Sequence, residues 1–162
     1  MRRLATPADL DRVYDIYMHE EVVPFLGFDP MPREGFGKVF DPLFESGCFY
    51  VYEVGGCVQG FYKAQRHLGR AAHVAYLGTL AVAPQVKGSG IARTMMGDAL
   101  SRLRNAGITR VELTVEADNP RAIAFYERFG FIHEGTQRAA YKRASDESCV
   151  DELMYGLLLN ER

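Results

Sequence analysis

The chain has 162 residues, 48% hydrophobic and 25% charged, a composition that fills the core of one ordinary globular domain and excludes a disordered or fibrous chain. A formal net charge of -2 gives no overall attraction to phosphate backbones or anionic lipid, so neither nucleic acid nor membrane is an expected partner. The three cysteines, Cys48, Cys57 and Cys149, lack CxxC spacing, which excludes a zinc cluster or disulfide framework and suits a soluble, cytoplasmic protein.

A short strand around Arg2 to Ala5 opens the chain. Thr6-Pro7 then starts a helix with apolar Leu10, Val13, Tyr14 and Tyr17 on one face. The prolines of "VVPFLGFDPMP" break regular structure, and "REGFGKVFDPLFES" resumes a weaker helical pattern that Pro42 is expected to interrupt. "CFYVYEV" and "CVQGFYKAQ" flank Gly55-Gly56 as a hairpin, and a longer strand runs from Ala71 to Val82. After a glycine segment comes a helix with Ile91, Met95, Ala99 and Leu103 on one side and Gly107 past its end. "RVELTVEA" returns as a strand, Asn119-Pro120 opens another helix, and "FIHEGTQRAAYK" and "VDELMYGLLL" close the chain as two strands. The order βααβββαβαββ predicts an α/β (α+β) fold over residues 1–162, with a single mixed, mostly antiparallel sheet and a central βαβ unit whose strands are parallel.

"QVKGSGIA" therefore sits at the carboxyl end of a strand and the amino end of a helix, where open α/β sheets bind ligands and where unpaired N–H groups suit a phosphate or pyrophosphate. Read alone, its glycines also fit a tight turn. It lacks the GxxxxGK[ST] of a Walker loop, and Arg93 breaks the GxGxxG dinucleotide pattern. The segment "LAVAPQVKGSGIA" resembles the acyl-coenzyme A signature of the GNAT superfamily of N-acetyltransferases through Gln85, Gly88 and Gly90. "VEADNPRAIAFYERFGF" resembles that family's second motif through Asn119, Ala122, Tyr126 and Gly130-Phe131.

The resemblance implies a GNAT fold with a splayed strand pair, and acetyl-CoA as acyl donor with no metal. It gives Leu80, Ala81 and Val82 a bulged strand end facing pantetheine. Backbone groups of Val86, Lys87, Gly88, Ser89, Gly90, Ile91, Ala92 and Arg93 fall on the pyrophosphate, with Gln85 in the signature and Lys87 and Arg93 adding charge. Asn119 adds a pantetheine contact, although N-capping alone explains it. Tyr126 becomes the general acid for the departing thiolate, where its apolar surroundings by themselves suggest packing. Glu20, Phe25 and Tyr76 fall on the acceptor wall.

Some members carry a basic glutamate in the strand here spanning Ala71 to Val82. The corresponding place holds Val74, with His73 and Tyr76 beside it, which leaves Glu112, Thr114 and Glu116 as a polar face that could help or could be solvated. His19, His67 and His133 have no ligand spacing, and the basic cluster in "QRAAYKR" reads as a strand edge.

The implied activity is direct acetyl transfer to a primary amine of a small molecule or amino acid. The alternatives are a protein N-terminus or lysine as acceptor, or a coenzyme A-binding regulatory domain without turnover. The closing strands leave an apolar edge that a second copy could cover, so a homodimer is also expected.

Overall fold

The computed structural model describes residues 1–160. In chain order it contains β1 (Arg2–Leu4), α1 (Leu10–Tyr17), α2 (Gly37–Glu45), β2 (Phe49–Val54), β3 (Cys57–Arg66), β4 (Val74–Val82), α3 (Ile91–Asn105), β5 (Arg110–Glu116), α4 (Pro120–Arg128), β6 (Ile132–Tyr141) and β7 (Val150–Leu158). This is the expected order. The strands form a seven-stranded sheet in the sequence β1-β2-β3-β4-β5-β7-β6. β4 and β5 pair in parallel, while β1/β2, β2/β3, β5/β7 and β6/β7 are antiparallel. Two compact units divide the chain, Met1–Gln65 with Leu77–Arg102 and Arg66–Tyr76 with Leu103–Arg162.

β4 and α2 differ most from the sequence expectation. β4 begins at Val74 instead of Ala71, because Gly69 turns the chain with φ 62° and the His67 amide donates to the Val74 carbonyl at 3.0 Å. α2 runs through Pro42 without a break. The missing proline N–H removes one helical bond, and burial of Phe36, Val39 and Phe40 holds the helix in place.

In the first unit, Val13, Ile16 and Tyr17 of α1 pack with Phe36, Val39 and Phe40 against Phe49, Val51 and Phe61 of the sheet. The rings of Tyr17 and Phe36 meet edge to face at 5.4 Å, as do those of Phe40 and Phe49 at 6.4 Å. Asp9 anchors the entry to α1. Its burial alone would favour the neutral acid, but two 2.7 Å bonds from Arg3 and another from the Thr6 amide outweigh that and hold its pKa below the usual carboxylate range. The β2–β3 hairpin turns at Gly55 and Gly56, with φ 60° and 78°, as a two-residue turn of that hand requires.

The second unit centres on β5, whose Val111, Leu113 and Val115 are buried while Arg110, Glu112 and Thr114 alternate with them on the other face. α4 ends as a Schellman motif. Gly130 has φ 91°, its amide donates to Glu127 O at 2.9 Å, and the Phe131 amide donates to Tyr126 O at 3.2 Å. The ring of Phe131 also touches that of Tyr126 at 5.9 Å, so backbone and side chain of Tyr126 are both fixed by the helix end.

Within the first unit, Gly60 of β3 lies where a Cβ would come 2.8 Å from the Ala81 carbonyl oxygen and 3.1 Å from Met95 Sδ. The nearer obstacle is backbone and cannot rotate away. Gly60→Ala is expected to destabilise the protein by about 1–3 kcal/mol, the usual cost of overpacking. Urea denaturation checks this, and an unchanged midpoint would mean that β3 has room to move.

Candidate active site

The expected site residues fall into two groups. In the first unit, Leu80, Ala81 and Val82 form the end of β4, one residue past Thr79, whose φ of 47° breaks the regular strand. Val74, Ala75 and Tyr76 of β4 pair in parallel with Arg110, Val111 and Glu112 of β5. Pro84–Val86 makes a single tight turn, and the chain then runs exposed through Lys87, Gly88, Ser89 and Gly90 into α3. Gln85 is exposed beside them, and Val86 packs against the core.

Gly88 and Gly90 have φ of 81° and 87°, a conformation that side chains disfavour, and a Cβ on either would meet nothing within 4 Å. Among the described residues, the amides of Gly88, Gly90, Ala92 and Arg93 have no recorded protein acceptor, whereas those of Val86, Lys87 and Ser89 are bonded within the turn. The Ser89 hydroxyl accepts from the Ile91 amide at 3.4 Å. Free donors, open space and the positive end of α3 together fit an anionic diphosphate. Lys87 is not a free charge beside this loop, because its ammonium donates to Glu21. Glu20, next to Glu21, is exposed, and Phe25 is 37% exposed at the end of the turn Val23–Phe25.

In the second unit, Asn119 caps α4 by accepting from the Ala122 amide at 3.1 Å. Tyr126 is half-buried on that helix. Loss of solvent, reinforced by the negative charge of Glu116 and by Tyr76, pushes its phenol well above the usual tyrosine pKa. Tyr126 therefore keeps its proton throughout the working range.

The polar face of β5 carries groups that the sequence left unpartnered. Tyr76 Oη lies 3.0 Å from Thr114 Oγ1, which donates to Glu152 Oε1 of β7 at 3.4 Å. Glu112 meets His67 Nε2 at 2.8 Å, and Arg110 bonds Glu134. Glu116 is only 7% exposed and stands directly opposite Glu152 in the β5/β7 register. Burial, then Glu152, raise its carboxyl pKa against the lowering effects of backbone and Asn119 hydrogen bonds and of Arg143. Glu152 and the depth of Glu116 were missed in the sequence, where the only signal was the alternation along β5.

The model of the Acetyltransferase (GNAT) family matches residues 10–131. A mycothiol acetyltransferase of Streptomyces coelicolor is 32% identical over 95 residues, a stretch that is 58% of this chain and 30% of that protein. The chain thus spans about a third of the length of that relative. Among solved structures, a ribosomal-protein-alanine N-acetyltransferase from Brucella melitensis aligns with a TM-score of 0.78 at 23% identity, covering 98% of this chain and 99% of that one. yncA of Salmonella typhimurium, solved with acetyl-CoA, aligns with a TM-score of 0.76 at 18% identity, covering 100% and 95%. These two structural likenesses concern the fold. The family match covers most of the sequence, and the chain belongs to the GNAT acetyltransferase family.

Glu116 gives a pH prediction. Its folded pKa is raised, so the folded state holds this proton more tightly than the unfolded chain does, and stability falls as pH rises from the ordinary glutamate value of about 4.3 through the higher folded value. Glu116→Gln removes the ionisation. Thermal melts across pH should show the variant gaining on wild type above that window, with the difference levelling off at acid pH. A gap independent of pH would show that Glu116 does not titrate as argued.

Proposed function

We propose that this protein transfers an acetyl group directly from acetyl-CoA to a primary amine of a small molecule or amino acid. The observation carrying this reading is the loop from Lys87 to Arg93, where four unpartnered amides and two left-handed glycines leave an open anion-binding cradle in a chain of this family. Bound there, acetyl-CoA supplies the acetyl thioester.

The chain's own residues do the rest. The amides of Gly88, Gly90, Ala92 and Arg93 hold the pyrophosphate, and backbone groups of Leu80–Val82 hold the pantetheine and polarise the carbonyl. In the second unit, Asn119 is a further candidate for contact with pantetheine. Tyr126, still protonated, would give its hydrogen to the sulfur as the amine nitrogen displaces it, and the proton that the nitrogen sheds on becoming an amide would return to the Tyr126 oxygen. Glu20 and Phe25 form part of the acceptor wall of the first unit, and Tyr76 offers a hydroxyl to the amine in the second. A small acceptor is also in keeping with the Streptomyces coelicolor relative, a mycothiol acetyltransferase. A reduced cytoplasm suits the free thiols Cys48, Cys57 and Cys149, and a homodimer would cover the exposed Ile132, Met154 and Leu158. No described helix is long and apolar enough to cross a membrane.

The test is thiol release from acetyl-CoA with a panel of amino acids, polyamines, aminoglycosides and peptide amino termini. Sustained release with one of the first three classes is expected, and release with peptides alone would move the acceptor to protein N-termini. Binding of coenzyme A without release from any amine would mark a regulatory module.

Two variants separate the roles. Gly90→Val fills the open space and disfavours the left-handed backbone, so coenzyme A affinity measured by calorimetry should fall at least tenfold in a protein that still folds. Tyr126→Phe keeps the ring, and kcat should drop about 10²-fold with coenzyme A affinity little changed. Wild-type kcat in this variant, with chemistry rate-limiting, would return Tyr126 to a packing role.

A further inference from the structure

The contacts among Tyr76, Thr114 and Glu152 have a direction. Thr114 carries one hydroxyl hydrogen and donates it to the Glu152 carboxylate at 3.4 Å. With that hydrogen turned to Glu152, its oxygen accepts in the 3.0 Å contact with Tyr76, and Tyr76 is then the donor there. With its hydrogen committed to Thr114, the Tyr76 oxygen presents only lone pairs to anything that approaches it. Its preferred neighbour is an N–H donor, such as a protonated amine. The three side chains come from β4, β5 and β7, so rigid strands and not loops set the order of the chain.

From this geometry we propose that Glu152 is the terminal acceptor for the proton that the amine must lose before it attacks, reached through the hydroxyls of Tyr76 and Thr114. The proposal rests on the acetyl-transfer reading above. In the step, an N–H bond of the ammonium breaks and its electron pair stays on nitrogen for the attack. Its proton bonds to Tyr76 Oη as the Tyr76 proton passes to Thr114 Oγ1 and the Thr114 proton passes to Glu152 Oε1. Both hydroxyls end neutral, and Glu152 ends as the acid.

The 3.4 Å link is long for an O–H···O bond, as catalytic contacts often are before substrate binds. The surroundings of Glu152 suit the task. Glu116 faces it across β5 and uncharged Gln137 across β6. Arg143, which acts on Glu116, is itself tied to Asp118 and Asp146, and Tyr126 stays protonated nearby on α4. Two opposed carboxylates resist being ionised together, so a proton arriving at this pair relieves repulsion.

The experiment is the pH dependence of kcat/KM with the panel amine that wild type uses fastest, for wild type, Glu152→Gln, Thr114→Val and Thr114→Ser. At pH 7, where the amine is protonated, Glu152→Gln and Thr114→Val should each lose about 10²-fold. The loss should shrink as pH approaches the pKa of the amine, because the free base needs no acceptor. Thr114→Ser restores the hydroxyl and should keep the wild-type profile. Melting temperatures and calorimetric coenzyme A affinity should stay close to wild type in all three variants. An unaltered profile in Glu152→Gln, or a loss of the same size at every pH, overturns the relay while leaving acetyl transfer in place. If wild type binds coenzyme A yet releases no thiol with any amine, the acetyl-transfer reading fails and the relay falls with it.

Discussion

A left-handed backbone at Thr79, in the middle of β4, is the constraint to which the proposed chemistry is tied. A β-branched residue with φ of 47° costs on the order of 1–2 kcal/mol relative to an ordinary strand conformation. Before it, Val74–Tyr76 hold β5 in parallel register. After it, Ala83 donates to the Gln59 carbonyl of β3 and the Ala81 carbonyl sits over Gly60. One strand thus serves two sets of partners. The regular segment before the break aims Tyr76 along the polar face of β5, where its hydroxyl meets that of Thr114.

Electrostatics in each unit follow from what backbone and burial leave unsatisfied. In the loop before α3, positive φ at Gly88 and Gly90 turns amides outward where the helix dipole is positive, an arrangement that suits an anion. Lys87, the nearest candidate for extra charge, is engaged by Glu21. In the second unit, burial works in the opposite sense. It raises the pKa of Tyr126 and of Glu116, keeping a proton on the phenol and favouring one on the carboxyl.

Local pattern accounts for what the sequence could disclose. Gly55-Gly56, Asn119-Pro120 and Gly107 each require a particular backbone shape, and each appears where its chemistry predicts: a hairpin turn, a capped α4 and the end of α3. The turn at Gly88 and Gly90 was legible for the same reason. Features that depend on register were not. Nothing near Thr79 in the chain announces a left-handed residue, and the facing of Glu116 and Glu152 arises only when β5 and β7 pair. The partners of Tyr76 likewise come from strands distant in sequence, so a search confined to β4 for a base finds none. Pro42 misled in the other direction, because a proline rule about helices yields where aromatic burial is large.

The central claim is that the loop amides are the donors that receive the pyrophosphate. Amide hydrogen exchange by NMR, followed with and without coenzyme A, addresses those donors individually. The account predicts slowed exchange at Gly88, Gly90, Ala92 and Arg93 on addition of coenzyme A, with much smaller changes at Val86, Lys87 and Ser89, whose amides are already bonded within the protein. Unchanged exchange at those four amides, under conditions where calorimetry shows coenzyme A bound, would contradict it.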